Sequence, residues 1–363
     1  MIQTSTPFIF MRGGSSRGPY LNRADLPEDL DVLSKVLVSM VGSGHPLNID
    51  GIGGGTAVTT KVAMLSRSDD EWADVDYFFA QVGVEEQLVD FKPSCGNILV
   101  GVGPAAIEMG LVEPTGDTTE VRIRAVNTGS LVSEIVQTPG GMVQYDGEAV
   151  IDGVPGSAAP IQLQFMKVEG SLTGALFPTG KIVEEINGIS VTCIDVAMPM
   201  VIGRAQDFGV TGYETAAELD ANHELLDRME AVRLIAGERM GLGDVTKSVT
   251  PKFGLLSKAR NGGSACVRYF MPWKCHPTLA VTGSQCIASC LLAPGTIGEG
   301  LLDKAYTSPA KILLEHPMGK MEVVIEYKID EGHFNVVSAG LLRTARKLAT
   351  GEVFVPGEVW TRN

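Results

Sequence analysis

The stretch KPSCGNILVGVGPAAIEMG, residues 92–110, decides the fold. From Ile98 onward it is apolar on nearly every side. A helix carries such a sequence only when sheet or other helices enclose it. The spacing therefore predicts a helix wrapped by strands, opened by the polar tripeptide Cys95-Gly96-Asn97. Backbone N–H groups at a helix start favour an anion, and a thiol there is a better base and nucleophile than a free one. Gly96 lets the backbone approach a ligand closely. A lone cysteine is more often an inert, buried small hydrophobe. The glycine and asparagine beside Cys95 turn the reading toward function.

A second stretch reads the same way. TGSQCIASCLLAPGTIGEG, residues 282–300, again follows a strand-rich region and opens an enclosed apolar helix with a polar tripeptide, Thr282-Gly283-Ser284. The two suggest a weak internal duplication. Strand-like runs rich in β-branched and aromatic residues cover 74–84, 120–138, 161–168, 189–203, 264–271 and 320–327, and PFIFM near the N-terminus reads as a first strand. Apolar spacing of three and four residues predicts helices over 28–43, 215–241 and 308–316. The expected organisation is a first domain over 1–183, a second over 184–345, and a segment over 346–363 that returns to the first.

Composition bounds the function. The 363-residue chain is 44% hydrophobic and 20% charged, a soluble globular profile with room for two domains. A formal net charge of -14 argues against nucleic acid and anionic membrane as partners. No apolar run approaches a membrane span, and the N-terminus makes a poor signal peptide. Six widely spread cysteines then imply reduced thiols and a cytoplasmic location.

Three further stretches carry chemistry. In MRGGSSRGPYL, Arg12 and Arg17 bracket Gly-Gly-Ser15-Ser16, the parts of an anion-binding nest or of a plain strand corner. In IDGIGGGTAVTTK, four glycines precede Thr59, Thr60 and Lys61, but Thr56 breaks the dinucleotide fingerprint. Lys61 opens an otherwise apolar strand, where it either snorkels to solvent or occupies a polar site. In PWKCHPTLAVTGSQC, the spacing of Cys275, His276, Cys286 and Cys290 fits no zinc site, and His276 is a candidate substrate contact. No Ser-His-Asp elbow is present.

Taken together, RGGSSRG, IDGIGGGTAVTTK, CGNILVGVGPAAIEMGLV, LFPTG and TGSQC followed by PGT resemble the PrpF-like isomerases, relatives of diaminopimelate epimerase. The matches run in order from residue 7 to about 325. The resemblance implies an α/β (α+β), diaminopimelate epimerase-like fold: two pseudo-symmetric domains, each a mixed sheet wrapped around a central helix, with the active site in the cleft between them. Epimerases of this fold use two cysteines; here the second position is Thr282, too weak an acid or base for that work. The resemblance therefore implies a proton moved along a conjugated system, as in the family's allylic isomerases and tautomerases. The likeness is greatest to those acting on 4-oxalomesaconate. It implies Lys61 and Cys95 as the acid/base pair. Arg12, Ser15, Ser16, Arg17, Thr59, Thr60, Gly96, Asn97, His276, Thr282, Gly283 and Ser284 are the expected contacts to a small anionic carboxylate. No metal or organic cofactor is expected, and a homo-oligomer is. The alternatives are an isomerase of aconitate, methylaconitate or methylitaconate, and a carboxylate-binding protein without catalysis.

Overall fold

The computed structural model describes residues 3–151, 153–271 and 273–362. The chain divides into two compact units, Met1–Gln164 with Leu342–Asn363, and Phe165–Leu341. All six cysteines are free. Among the described residues no helix is long and apolar enough to cross a membrane.

The first unit contains β1 (Gln3–Gly13), β2 (Ser16–Asn22), α1 (Leu30–Val41), β3 (Lys61–Arg67), β4 (Val75–Val82), β5 (Val89–Asp90), α2 (Gly96–Leu99), α3 (Val102–Glu108), β6 (Thr118–Ala125), β7 (Ser130–Gln137) and most of β8 (Pro160–Met166). β1 and β2 pair antiparallel, β2 and β3 parallel, β3 and β4 antiparallel, β4 and β6 parallel, β6 and β7 antiparallel. The C-terminal end of the chain also lies against β1, with Gln3 opposite Pro356 and Phe10 opposite Ala349.

The second unit contains β9 (Glu184–Ile186), β10 (Ile189–Asp195), β11 (Pro199–Arg204), α4 (Ala216–Asp220), α5 (His223–Arg239), β12 (Lys252–Ser257), β13 (Ala265–Phe270), α6 (Val281–Leu292), β14 (Ala310–His316), β15 (Gly319–Asp330) and the first part of β16 (His333–Pro356). From β10 to β15 the pairings run antiparallel, parallel, antiparallel, parallel, antiparallel. That is the order found from β1 to β7. A helical crossover falls at the same two places in each unit, as parallel neighbours require. The suggested duplication is therefore present in the topology.

Each sheet buries both faces. In the first unit, Leu33, Val36, Leu37, Met40 and Val41 of α1 pack on Leu21, Val62, Met64, Ala80 and Val82. The other face carries α2 and α3, whose Ile98, Leu99, Val102, Ala105 and Ala106 are fully buried. In the second unit, α5 packs on Val191, Val201, Phe253 and Leu255, and α6 on Met200, Ile202, Leu256, Val267 and Leu314.

Two expectations change. The first enclosed helix is broken: α2 has four residues and α3 seven. Pro104 has no N–H to offer the carbonyl of Val100, so one continuous ladder is impossible there. The dipole behind Cys95 is correspondingly short. The segment 308–316 is not a helix but strand β14, paired parallel to β13 and antiparallel to β15. Its alanine, lysine and leucines favour helix locally, and the two neighbouring strands override that preference.

Glu134 of β7 lies fully buried, and its Oε2 accepts the Gly103 amide of α3 at 2.7 Å while Oε1 has no partner. Burial pushes its carboxyl up from 4.5 to about 8, against the opposing pull of that hydrogen bond. Between those values the unfolded chain is ionised while the folded chain keeps its proton, so stability falls as pH rises through this window. Thermal unfolding of Glu134→Gln from pH 5 to pH 9 should show that slope removed, with the variant gaining up to about 4 kcal/mol on the native chain at the alkaline end.

Candidate active site

Strand alternation assigns the side chains of the first unit. Val62, Met64, Ala80 and Val82 enter the α1 layer, so Lys61, Ala63 and Leu65 of β3 face the other way, toward α2 and α3. Their partners across the antiparallel ladder are Gln81, Phe79 and Tyr77. Directly opposite residues share a face. Lys61 Nζ donates to Gln81 Oε1 at 2.6 Å and lies 5.3 Å from the centre of the Phe79 ring. Two residue pairs along the same row, Tyr77 OH donates to the carbonyl of Cys95 at 3.3 Å. The sheet face that carries Lys61 is thus the face that α2 and Cys95 cover.

Cys95 is half-buried and sits at the N-cap position, where its carbonyl accepts the Leu99 amide at 2.9 Å. The amides of Gly96 and Asn97 precede that first helical bond. A side chain at Gly96 would meet nothing within 4 Å, so the space above the turn is open. Tyr20 of β2, opposite Ala63, donates to the Ile98 carbonyl at 2.5 Å. Burial raises the Tyr77 and Tyr20 phenols, and the nearby Cys95 and Glu134 raise them further, so both remain donors.

The Gly13–Ser16 turn adds to the same face. Asn97 Oδ1 accepts the Ser15 amide at 3.3 Å. Gly14 has φ +52°, and any side chain there would run into the Asn97 carboxamide. Ser16 Oγ is buried without a hydrogen-bond partner, which is unusual for a hydroxyl and marks it as an unused donor. Arg12 and Arg17 are placed differently. They face each other across the hairpin on the side of Phe10, Pro19 and Leu21, which is the α1 side. Arg12 Nη1 donates to the carbonyls of Gly14 and Thr344 at 2.9 and 2.8 Å. The Arg17 guanidinium lies 5.7 Å from the Phe10 ring. The Thr59 hydroxyl donates to the Thr56 carbonyl, and that of Thr60 to the Val82 carbonyl at 2.8 Å. Of the expected contacts in this unit, Ser15, Ser16, Gly96 and Asn97 gather with Cys95. Arg12, Arg17, Thr59 and Thr60 support loops.

In the second unit, Thr282 Oγ1 and Tyr269 OH both point to Met198 Sδ, at 3.5 and 3.4 Å. Gly283 leaves room for the Tyr269 ring. Ser284 Oγ donates to the Val281 carbonyl at 2.7 Å. His276 Nδ1 accepts the Thr278 amide at 3.0 Å, its ring stands against Tyr269, and burial lowers its pKa. The imidazole is therefore neutral at pH 7, with its proton on Nε2. Gln81, Tyr77 and Tyr20 escaped the sequence reading. For Gln81 and Tyr77 the signal was alternation in VDYFFAQV, which becomes informative only once the β3–β4 register is known, whereas Tyr20 lies in SRGPYLN of β2.

Two units of one topology, with an amine and a thiol on the α2–α3 face of the first, define a duplicated α/β scaffold suited to proton transfer. The PrpF protein family matches residues 3–356, and this chain belongs to that family. The (4E)-oxalomesaconate Delta-isomerase of Novosphingobium sp. strain KA1 is 48% identical over 351 residues, 97% of this chain and 98% of its own. The 4-oxalomesaconate tautomerase of Pseudomonas putida is 44% identical over 360 residues, 99% of each chain. The crystal structure of a methylitaconate-delta-isomerase superposes with a TM-score of 0.92 at 31% identity, covering 99% of this chain and 98% of that one. The protein is an isomerase.

Gln81 also ties the glycine-rich loop to β4, through Nε2 to the Ala57 carbonyl at 3.2 Å. Replacing it by leucine removes both the loop tether and the acceptor that orients Lys61. Displacing a reacting group by about 1 Å costs on the order of 100-fold in rate. Gln81→Leu should lose turnover on that scale with a small change in melting temperature, as read by steady-state kinetics beside calorimetry.

Proposed function

We propose that the chain is a 4-oxalomesaconate tautomerase that moves a proton along a conjugated tricarboxylate with its own side chains, without metal or organic cofactor. One observation carries the reading: Lys61 and Cys95 belong to the same face of one sheet, linked through Gln81, Phe79 and Tyr77. The relatives with this substrate in their names support it. Lys61 Nζ, as the free amine, takes a proton from the carbon γ to the conjugated carbonyl. The C–H bond breaks, its electron pair enters the π system, and a dienolate forms. The Cys95 thiol gives a proton to the oxygen of the ketone next to that carbon, leaving the hydroxymuconate enol. The ammonium and thiolate that remain reset by passing one proton through solvent.

The dienolate is stabilised by donors fixed before it forms. The amides of Gly96 and Asn97 and the Ser16 hydroxyl fill this role, and a well-placed donor contributes about 3–4 kcal/mol. They also receive a substrate carboxylate. The free thiols accord with a cytoplasmic location, which belongs to the same proposal.

A second reading, allylic isomerisation of aconitate, methylaconitate or methylitaconate, is favoured by the likeness to the methylitaconate-delta-isomerase. It uses the same residues and delivers the second proton to carbon. Incubation with each acid in deuterium oxide, followed by proton NMR, separates the two. Deuterium at the γ carbon of oxalomesaconate alone supports the tautomerase, and deuterium in another acid alone replaces it. Loss of an acid–base group lowers rates about 100- to 10,000-fold. Lys61→Met should fall in that range, and near-native turnover by it would remove Lys61 as the base. Tight binding of oxalomesaconate with no spectral change over time would leave only a carboxylate-binding protein.

A further inference from the structure

The first unit carries a row of three arginines that the candidate site does not use. In the β1–β2 hairpin Arg12 lies directly opposite Arg17. On its other edge β1 pairs with the C-terminal part of β16, and there Arg12 lies directly opposite Arg346. Directly opposite residues share a face of the sheet. Arg17, Arg12 and Arg346 therefore stand side by side on three neighbouring strands, with backbones about 5 Å apart. All three belong to the first unit. Phe8, four residues before Arg12, and Leu21, four after Arg17, both pack in the α1 layer. Alternation puts the arginines on that same side, away from the face that carries Lys61 and Tyr77.

Such a row is costly, because like charges directly opposite each other destabilise a sheet. Here the juxtaposition occurs twice, and no carboxylate offsets it. Among the described residues none of the three arginines has an ion-pair partner. Arg12 is half-buried and gives Nη1 to the carbonyls of Gly14 and Thr344. Burial lowers its pKa, and the charge of Arg346 lowers it further. Arg17 and Arg346 are exposed, and among the described residues neither guanidinium has a hydrogen-bond partner. Carboxylates are not scarce in this chain, which has 43 acidic side chains to 29 basic ones. Their absence is local to the row. The glycine-rich loop passes close beside it: a side chain at Gly54 would come within 2.8 Å of Arg17 Nη2, so a glycine leaves that guanidinium its space.

We propose that Arg17, Arg12 and Arg346 form a binding site for a small anion with two or more oxyanion groups, phosphate or carboxylate, separate from the face of Lys61 and Cys95. A guanidinium fork donates two parallel N–H bonds to such a group. Arg17 and Arg346 supply the free forks, and Arg12 between them adds its charge. The bound anion offsets the repulsion along the row. The acidic remainder of the chain disfavours anions elsewhere, which directs them to this patch. The inference does not depend on which acid the chain isomerises.

The full-length native chain and its Arg346→Gln, Arg17→Gln and Arg228→Gln variants are titrated calorimetrically with tripolyphosphate and, separately, with citrate, at low ionic strength where screening is weak. Arg228, an exposed arginine of α5, is the control. Losing one charge-assisted contact is expected to raise Kd about 10- to 100-fold in Arg346→Gln and in Arg17→Gln. Arg228→Gln should keep native affinity. Arg346→Lys should recover only part of the loss, since an ammonium keeps the charge without the fork. Arg346→Gln should melt no lower than the native chain without ligand, because it removes a repulsion. Binding of tripolyphosphate alone identifies phosphate as the source, binding of citrate alone identifies carboxylate, and either supports the site. A native chain that binds neither anion overturns it, as does a Kd left unchanged by both Arg346→Gln and Arg17→Gln. Steady-state turnover separates the row from the reaction. Arg346→Gln should keep native kcat and KM, and a KM that rises in step with the citrate Kd overturns a separate site. A native oligomer that comes apart in Arg346→Gln overturns it in favour of a contact with a second copy.

Discussion

The register of β3 against its two neighbours is the constraint on which the candidate site depends. Side chains alternate along a strand, so a slip of one residue would carry Lys61 into the α1 layer and bring Val62 and Met64 out of it. Burying a valine or methionine contributes roughly 1.5–3 kcal/mol, and placing an unpaired amine in hydrocarbon costs more. The apolar residues of α1 therefore hold the lysine in place without touching it. Gln81, Phe79 and Tyr77 are fixed by the same pairing, and Tyr77 extends it to the backbone of Cys95. The placement of Lys61 and Cys95 on one face is a consequence of hydrophobic burial on the opposite side of the sheet.

This dependence explains what the sequence could disclose. The enclosed helices were legible because a helix apolar on all sides has few other places to go, and both lie where their pattern put them. Cys95 and Lys61 were legible as exceptions, a thiol beside glycine at a helix start and a cation opening an apolar strand. The break at Pro104 was written in the sequence, but the apolar run around it masked the missing donor. Residues 308–316 misled for a different reason. Helix propensity is local, whereas β14 owes its conformation to β13 and β15, the first some forty residues earlier. Arg12 and Arg17 read equally as parts of an anion nest or of a strand corner, because a loop drawn as a string has no faces. The hairpin gives it faces, and alternation sends both guanidinium groups to the α1 side. Gln81 was hidden for the converse reason, since nothing local joins it to Lys61.

The repeat adds a limit on the chemistry. A scaffold built twice could supply one acid–base set from each half, which is what inversion at a single carbon needs. In this chain the second half has Thr282 in place of the thiol, with its hydroxyl directed to Met198 Sδ. A threonine hydroxyl with no base beside it is a far weaker acid and base than a thiol. On the proposed reading, the proton chemistry falls to an amine and a thiol of the first unit that share one face. Such a pair suits a substrate whose carbons and oxygens are conjugated, because the electron pair released at one atom reappears at another within the same plane. The missing cysteine is thus as informative as the present one. It favours the proposed relocation of a double bond over inversion of a centre.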